Sequence, residues 1–169
     1  MEHSEHSPLD DHPRSSTGRE AMMEVNTVNY EFLAPTTIRA GDVDAINHLL
    51  RQLTDNPVPI VEWQLREVCE KSTLCVARNV EGRIVGMNTL TIRYIPTGKV
   101  GLLDDVVVDE SARGHQVGRT LVSKLIEHAQ SVSVNRLELT CRPARKAANA
   151  LYEGLGFQRS ETNRWVMKF

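Results

Sequence analysis

The chain has 169 residues, 40% hydrophobic and 25% charged, a length and balance that bury one apolar core and exclude a disordered or fibrous protein. A formal net charge of -2 offers no overall pull toward nucleic acid or an anionic membrane face, so any anionic ligand must be held by a local site. Cys69, Cys75 and Cys141 are odd in number and lack metal-ligand spacing, so reduced thiols are expected, with neither a disulfide framework nor a metal site.

Residues 1–26 read as a flexible polar tail, rich in Ser, Pro, Asp and His and without periodicity. His3, His6 and His12 within it match no zinc-site spacing. The segment has no apolar stretch of signal-peptide type, and no run in the chain approaches a membrane-spanning length, so a cytoplasmic location is expected. Residues 27–169 read as a single domain. Tyr30–Leu33 and Thr36–Arg39 bracket Pro35 as a first strand or strand pair. Gly41-Asp42 opens a helix whose apolar stripe is Val43, Ile46, Leu50 and Leu53. Pro57 and Pro59 end that region, and Glu62–Glu70 is a second short helix. Leu74–Ala77, Ile84–Ile95 and Val100–Val108 are strand-like, separated by turns at Glu81-Gly82-Arg83 and Pro96-Thr97-Gly98. They form a predicted antiparallel meander.

Helical spacing returns at Val117, with Leu121, Leu125 and Ala129 on one face. Residues 136–141 form a strand, residues 144–155 a helix stopped by Gly156, and Arg164–Phe169 a closing strand. Val100–Val108, the helix after it and residues 136–141 make a βαβ unit, whose two strands must be parallel. The fold expected is therefore α/β with a mixed sheet.

The chemistry sits in Asp104–Leu121. A buried Val106-Val107-Val108 run leads through a polar turn into Arg113-Gly114-His115-Gln116-Val117-Gly118, where a helix begins. Glycine lets backbone N–H groups come close to a ligand, and a helix start leaves N–H donors unpaired at the positive end of its dipole. Such a junction suits a phosphate or diphosphate, with Arg113 and Arg119 beside it, although the same glycines also serve a plain turn. The spacing is neither the dinucleotide Gly-x-Gly-x-x-Gly pattern nor a P-loop.

Arg113-Gly-His-Gln-Val-Gly118, the Val106–Ala112 stretch before it, and Ala148-Asn-Ala-Leu-Tyr152-Glu-Gly-Leu-Gly156-Phe157 resemble the GNAT superfamily of acyl-CoA-dependent N-acetyltransferases. The resemblance covers roughly Ile38–Phe169. It implies a twisted mixed sheet with helices on both faces and two splayed parallel strands. It also implies direct acetyl transfer from acetyl-CoA to a primary amine, a small molecule being favoured over a protein. In that picture the backbone of Val106, Val107 and Val108 pairs with the pantetheine arm. The cofactor's diphosphate falls to Arg113, Gly114, His115, Gln116, Val117, Gly118, Arg119 and Thr120. Two positions depart from the family pattern. Gln116 replaces an inner glycine and is expected to keep φ below zero. Arg145 replaces an asparagine that contacts the arm.

Asp104 and Asp105 are the candidates for a general base, and Asp104 is preferred because strand alternation puts it on the face of Val106 and Val108. Glu62 and Glu138 are weaker candidates. Tyr152 stands where the family has the acid that protonates the leaving thiolate, and a structural hydrogen bond or packing role competes for each of these residues. His115 reads as an exposed turn residue, and His48 and His128 as surface residues on helices. Trp63, Tyr94 and Trp165 are candidates for an acceptor rim or for packing. A homodimer is a family-level expectation, and nucleic acid and membrane partners are not expected. Two other readings are a CoA-binding regulatory module without catalysis, and an interaction domain with an empty turn.

Overall fold

Alternation along the strands and the apolar faces of the helices sort the buried side chains into two cores, one on each side of a sheet. The computed structural model describes residues 28–167, so the predicted tail and its histidines lie outside the described residues. In chain order come β1 (Asn29–Leu33), a 3-10 turn (Pro35–Thr37), α1 (Asp42–Leu53), α2 (Glu62–Lys71), β2 (Thr73–Arg78), β3 (Ile84–Ile95) and β4 (Gly98–Val108). A second 3-10 turn (Glu110–Ala112), α3 (Val117–Ser131), β5 (Arg136–Leu139) and α4 (Lys146–Glu153) follow. The strands lie in the order β1-β2-β3-β4-β5. Pairing is antiparallel through β4 and parallel between β4 and β5, as the βαβ reading requires. Leu121, Val122 and Leu125 of α3 pack with Cys75, Leu90 and Leu103 on one face. Ile46 and Leu49 of α1 pack with Leu65, Val76, Met87 and Val107 on the other.

The structure corrects several expectations. Thr36–Arg39 is not a strand. Pro35 has no N–H for a ladder, and the chain turns there, with Thr37 Oγ1 accepting from the Ala34 amide at 3.0 Å. The buried seam of α1 runs through Asp42, Ala45, Ile46 and Leu49, one position off the predicted stripe at its second half. β5 ends at Leu139 rather than residue 141, and α4 is shorter than 144–155. Residues 164–167 form no strand. β5 offers only four residues of edge, and Arg164 makes a side-chain bond at 3.1 Å to Thr140, the residue just after it. Trp165 is left 89% exposed.

A buried ion pair explains the charged residue in the α1 seam. Arg78, 2% exposed, donates Nη1 to Asp42 Oδ1 at 2.7 Å and Nη2 to Oδ2 at 2.9 Å, and its Nε meets Glu31 at 2.6 Å. Asp42 also accepts the Arg39 amide at 2.9 Å. Burial pushes the Asp42 carboxyl up, but the bonds from Arg78 and the Arg39 amide outweigh it and hold the group below its ordinary value. This cluster ties β1, β2 and the start of α1 together. Asp42→Ala leaves a buried guanidinium undercompensated and is expected to cost about 3–5 kcal/mol of stability in urea unfolding. A loss under about 1 kcal/mol would show that the pair does not carry this junction.

Candidate active site

β4 outruns its parallel neighbour. The ladder with β5 pairs Val100 with Arg136 and stops at Leu103 with Leu139, whereas β4 continues to Val108. From Asp104 onward β4 therefore keeps β3 on one side and has no strand on the other among the described residues. Its outward N–H and C=O groups have no ladder partner there, as the predicted splay of the two parallel strands requires.

The inner side of the same stretch is irregular. Met87 pairs with Val107 and Thr89 with Asp104, so Asp105 and Val106 together stand opposite Asn88. This is a β-bulge, and Asp105 sits in it at φ +53°. The extra residue reverses the alternation. Asp104 thus shares a face with Val107, toward α1 and α2, and not with Val106 and Val108, which pack toward α3. The face argument for preferring Asp104 falls with it. Asp105 keeps part of its surface in solvent, yet burial and then the Asp104 charge beside it raise its carboxyl above the ordinary carboxylate range.

Beyond β4 the chain makes the predicted turn. Gly114 has φ +83° and Gln116 φ +59°, the latter as the residue preceding α3. The expectation of a negative φ at Gln116 is thus wrong. The tight entry into α3 needs a left-handed residue there, which glutamine adopts at a steric cost. Among the described residues the backbone N–H groups of residues 114–119 make no hydrogen bond, the first returning bond being Thr120 N to Gln116 O at 3.0 Å. A hollow of about 430 Å³, lined by Val28, Tyr30, Gly114, His115 and Gln116, lies against them. A larger one of about 570 Å³ lies by α1 and the β2–β3 turn, away from this junction. Gly118 lies against Val108, where an added Cβ would reach ordinary contact at 3.4 Å from Val108 Cγ2. Val117 is buried under the helix, and His115 is exposed as expected.

The arginines do not point freely at this cradle. Arg113 donates to Val108 O and Gln52 Oε1, each at 3.0 Å, and Arg119 donates to Gly154 O at 3.0 Å. Arg145 donates to Leu53 O, joining the start of α4 to the end of α1. Gln52 and His48, one turn apart on α1, both meet Asp109 Oδ2, at 3.0 and 2.9 Å. His48 and His128 are half-buried rather than surface residues, and His128 stacks against Phe32 at 5.2 Å. The sequence signal for the Gln52 clamp is its placement four residues after His48 on one helix face. Burial raises the Asp109 carboxyl, but bonds from Ser111 and Gln52 and the nearby His48 outweigh this and bring it down to about 2.

Tyr152 is 8% exposed in the α3-side core and packs edge-on against Phe157 at 6.0 Å. Burial, then the nearby Cys141, push its phenol up to about 12 against a smaller opposing effect of Arg145. Trp63 and Tyr94 are 65% and 80% exposed, so they are not core residues. Glu62 pairs with Arg66 and Glu138 with Arg93 and Arg136, leaving both engaged in surface ion pairs. Among the described residues no cluster of histidine, cysteine and carboxylate side chains is placed to hold a metal, and no helix is long and apolar enough to cross a membrane.

A parallel pair that opens beyond four ladder positions, a bulge at the opening and a glycine turn with unpaired amides are together a specific arrangement. Comparison with known proteins agrees. The model of the Acetyltransferase (GNAT) family matches residues 43–157, and the chain belongs to that family. Glucosamine 6-phosphate N-acetyltransferase 1 of Oryza sativa subsp. japonica is 30% identical over 106 residues, covering 56% of this chain and 64% of the rice protein. Glucosamine 6-phosphate N-acetyltransferase of Trypanosoma brucei brucei is 29% identical over 133 residues, covering 73% of this chain and 88% of its own. The crystal structure of a Trypanosoma brucei acetyltransferase superimposes with a TM-score of 0.69 at 26% identity, over 84% of this chain and 100% of that one. The match thus spans somewhat less than two thirds of the rice relative's length.

The left-handed residue before α3 sets a stability expectation. Gln116→Val puts a β-branched side chain at positive φ and is expected to lose about 1–2 kcal/mol, while Gln116→Gly is at least as stable as the parent. Thermal denaturation checks the order, and three equal midpoints would contradict the conformation.

Proposed function

We propose that the chain is an N-acetyltransferase that moves the acetyl group of acetyl-CoA directly to a primary amine of a small-molecule acceptor, with a phosphorylated amino sugar as the first class to test. The observation that carries this reading is the open edge of β4 beyond Leu103, ending beside a turn whose amides are unpaired. The choice of acceptor is supported by the names of the rice and trypanosome relatives.

The residues present fit coenzyme A on chemical grounds. An extended thioester arm with amide groups needs a strand edge to bond, and the outward backbone of Val106 and the Val108 N–H supply one, whereas Val107 turns its backbone toward β3. A diphosphate needs convergent N–H donors, and residues 114–119 supply them at the positive end of α3. When bound, acetyl-CoA supplies an activated acyl group. The protein's part is to orient it, and one β4 N–H near an acyl oxygen contributes about 3 kcal/mol as negative charge builds there. No covalent enzyme intermediate is invoked, because burial holds Cys69 and Cys75 as thiols, each raised to about 11, and among the described residues no histidine bonds Cys141, whose Sγ meets Arg142 O.

An amine attacks only through its free lone pair, so a base must take its proton. Asp105 fits this role better than Asp104. It stands in the bulge at the head of the open edge, where burial and then the Asp104 charge raise its pKa, the direction that favours a base taking a proton from an amine. Tyr152 stays protonated across the physiological range and so holds a proton for a departing thiolate. Arg145 is free to exchange its bond to Leu53 O for one to the ligand.

A thiol-release assay with acetyl-CoA and glucosamine 6-phosphate, glucosamine, amino acids and a peptide N-terminus tests the reading. Amine-dependent thiol release, strongest with the phosphorylated sugar, is expected. Tight CoA binding without turnover on any amine would favour a regulatory module, and no CoA binding would remove both. Two variants then separate the residues. Asp105→Asn is expected to lower kcat/KM about 10²-fold and to abolish the acidic limb of its pH profile, because activity needs the carboxylate and rises as pH passes the raised pKa. Tyr152→Phe is expected to lower kcat about 10²-fold with little change in KM for acetyl-CoA. An Asp105→Asn enzyme that keeps the parental profile would transfer the role to Asp104.

A further inference from the structure

The two amide atoms of Asn88 are the only buried side-chain polar atoms among the described residues that make no hydrogen bond. The residue is 0% exposed. Other buried polar groups in the structure are held, Asp42 by Arg78 and Asp109 by Ser111 and Gln52. A carboxamide with two donors and an acceptor is expensive to bury unpaired, and natural cores keep one where a partner or a trapped water bonds it.

Its position says what that partner is. Asn88 is the β3 residue that faces both Asp105 and Val106 across the bulge. Its side chain lies on the α3 side of the sheet. Its β2 partner Cys75 belongs to that core, as does Leu90 two residues on, and a Cβ on Gly86 two residues back would come within 3.3 Å of Val117 Cγ1. Val106 packs onto the same core. The peptide between Asp105 and Val106 is the part of β4 that the bulge takes out of the regular ladder, and Asp105 holds a left-handed φ there. The unpaired carboxamide thus belongs to the residue that stands directly opposite the strained peptide in the same strand pair.

We propose that Asn88 is a positioning residue: through one trapped water its carboxamide holds the Asp105–Val106 peptide and so fixes the direction in which β4 presents its N–H groups to the acyl arm. The bond itself is independent of the chemistry, whereas its kinetic consequence rests on the acetyl-transfer reading. A residue that merely filled the core would be replaced by leucine without loss, since leucine has similar volume and leaves no unpaired atoms.

The test uses the full chain with Asn88→Leu and Asn88→Ser, the latter keeping a hydroxyl that can bond the water. The first readout is amide hydrogen exchange by NMR without ligand. In Asn88→Leu the amides of Asp105 and Val106 are expected to exchange at least about tenfold faster, with those of Leu121 and Leu125 unchanged, and Asn88→Ser to fall between. The second is steady-state kinetics. Asn88→Leu is expected to lower kcat by about tenfold or more with KM for acetyl-CoA within about twofold, and Asn88→Ser to recover part of it. Unchanged exchange at Asp105 and Val106, or parental kcat in Asn88→Leu, overturns the proposal. Should Asn88→Leu fail to fold, the serine variant's exchange decides. If the parent protein acetylates no amine, the acetyl-transfer reading fails, and the exchange experiment alone decides the role of Asn88.

Discussion

Beyond Leu103 the outward backbone of β4 has no strand to bond, and most of what surrounds that stretch follows from this constraint. Unpaired peptide groups at a sheet edge need water, a covering element or a ligand. β5 stops at Leu139, and the chain then turns through Pro143 toward α4, so the parallel pair cannot close. The gap opens at the carboxyl ends of two parallel strands, where α/β sheets commonly take their ligands. α3 leaves the end of β4 and starts beside the gap with its first amides free. An open strand edge and an open helix start are thus set in series by one stretch of chain, without any residue in contact with a ligand being specified by its side chain.

The charge for an anionic ligand comes from the same source. The chain carries a net charge of -2, and the guanidinium groups of Arg113 and Arg119 are already bonded to protein oxygens. These bonds tie the turn to its neighbours. Arg113 joins the turn to Gln52 and to the end of β4, and Gln52 also accepts the Glu110 amide at 3.0 Å while it donates to Asp109. α1 therefore grips the strand-to-turn junction with side chains so that the backbone amides beyond it stay directed outward. In the proposed function, peptide dipoles aimed by such a clamp would meet a diphosphate with little reorganisation, which flexible surface arginines would have to undergo on binding.

Much of this was legible in the residues. β3 falls on Ile84–Ile95 as its β-branched run and flanking turns predict, and α3 starts at Val117, where helical spacing begins. The glycine turn was visible because Gly114 and Gly118 stand between a valine run and an apolar helix. The sign of φ at Gln116 was not, since glutamine's preference gives no hint that a turn forces it to positive φ. Strand composition misled at Thr36–Arg39 and at 164–167, where a proline and a short neighbouring edge decide the outcome. Gln52, His48 and Asn88 were missed for a common reason. Their importance lies in what they face across the fold: the spacing of His48 and Gln52 puts both on one helix face without saying what that face meets, and a polar residue in an apolar strand such as Asn88 says less still.

The bulge in β4 is the instructive failure. Alternation assigns faces by counting in twos, and one inserted residue reverses every assignment on its far side. Asp104-Asp105 interrupts an apolar run at the bulge, and two adjacent carboxylates in a central strand are the kind of local conflict that marks a functional position. The pattern locates the irregularity but does not give its register, which is set by Met87 and Thr89 on the neighbouring strand. Once that register is known, the two carboxylates are no longer equivalent. Asp104 turns toward the face of Val107, whereas Asp105 takes the strained position at the head of the open edge and has its ionisation suppressed by burial and by its neighbour. A single extra residue thus bends the strand, separates the environments of two identical side chains and raises the pKa of the one at the gap.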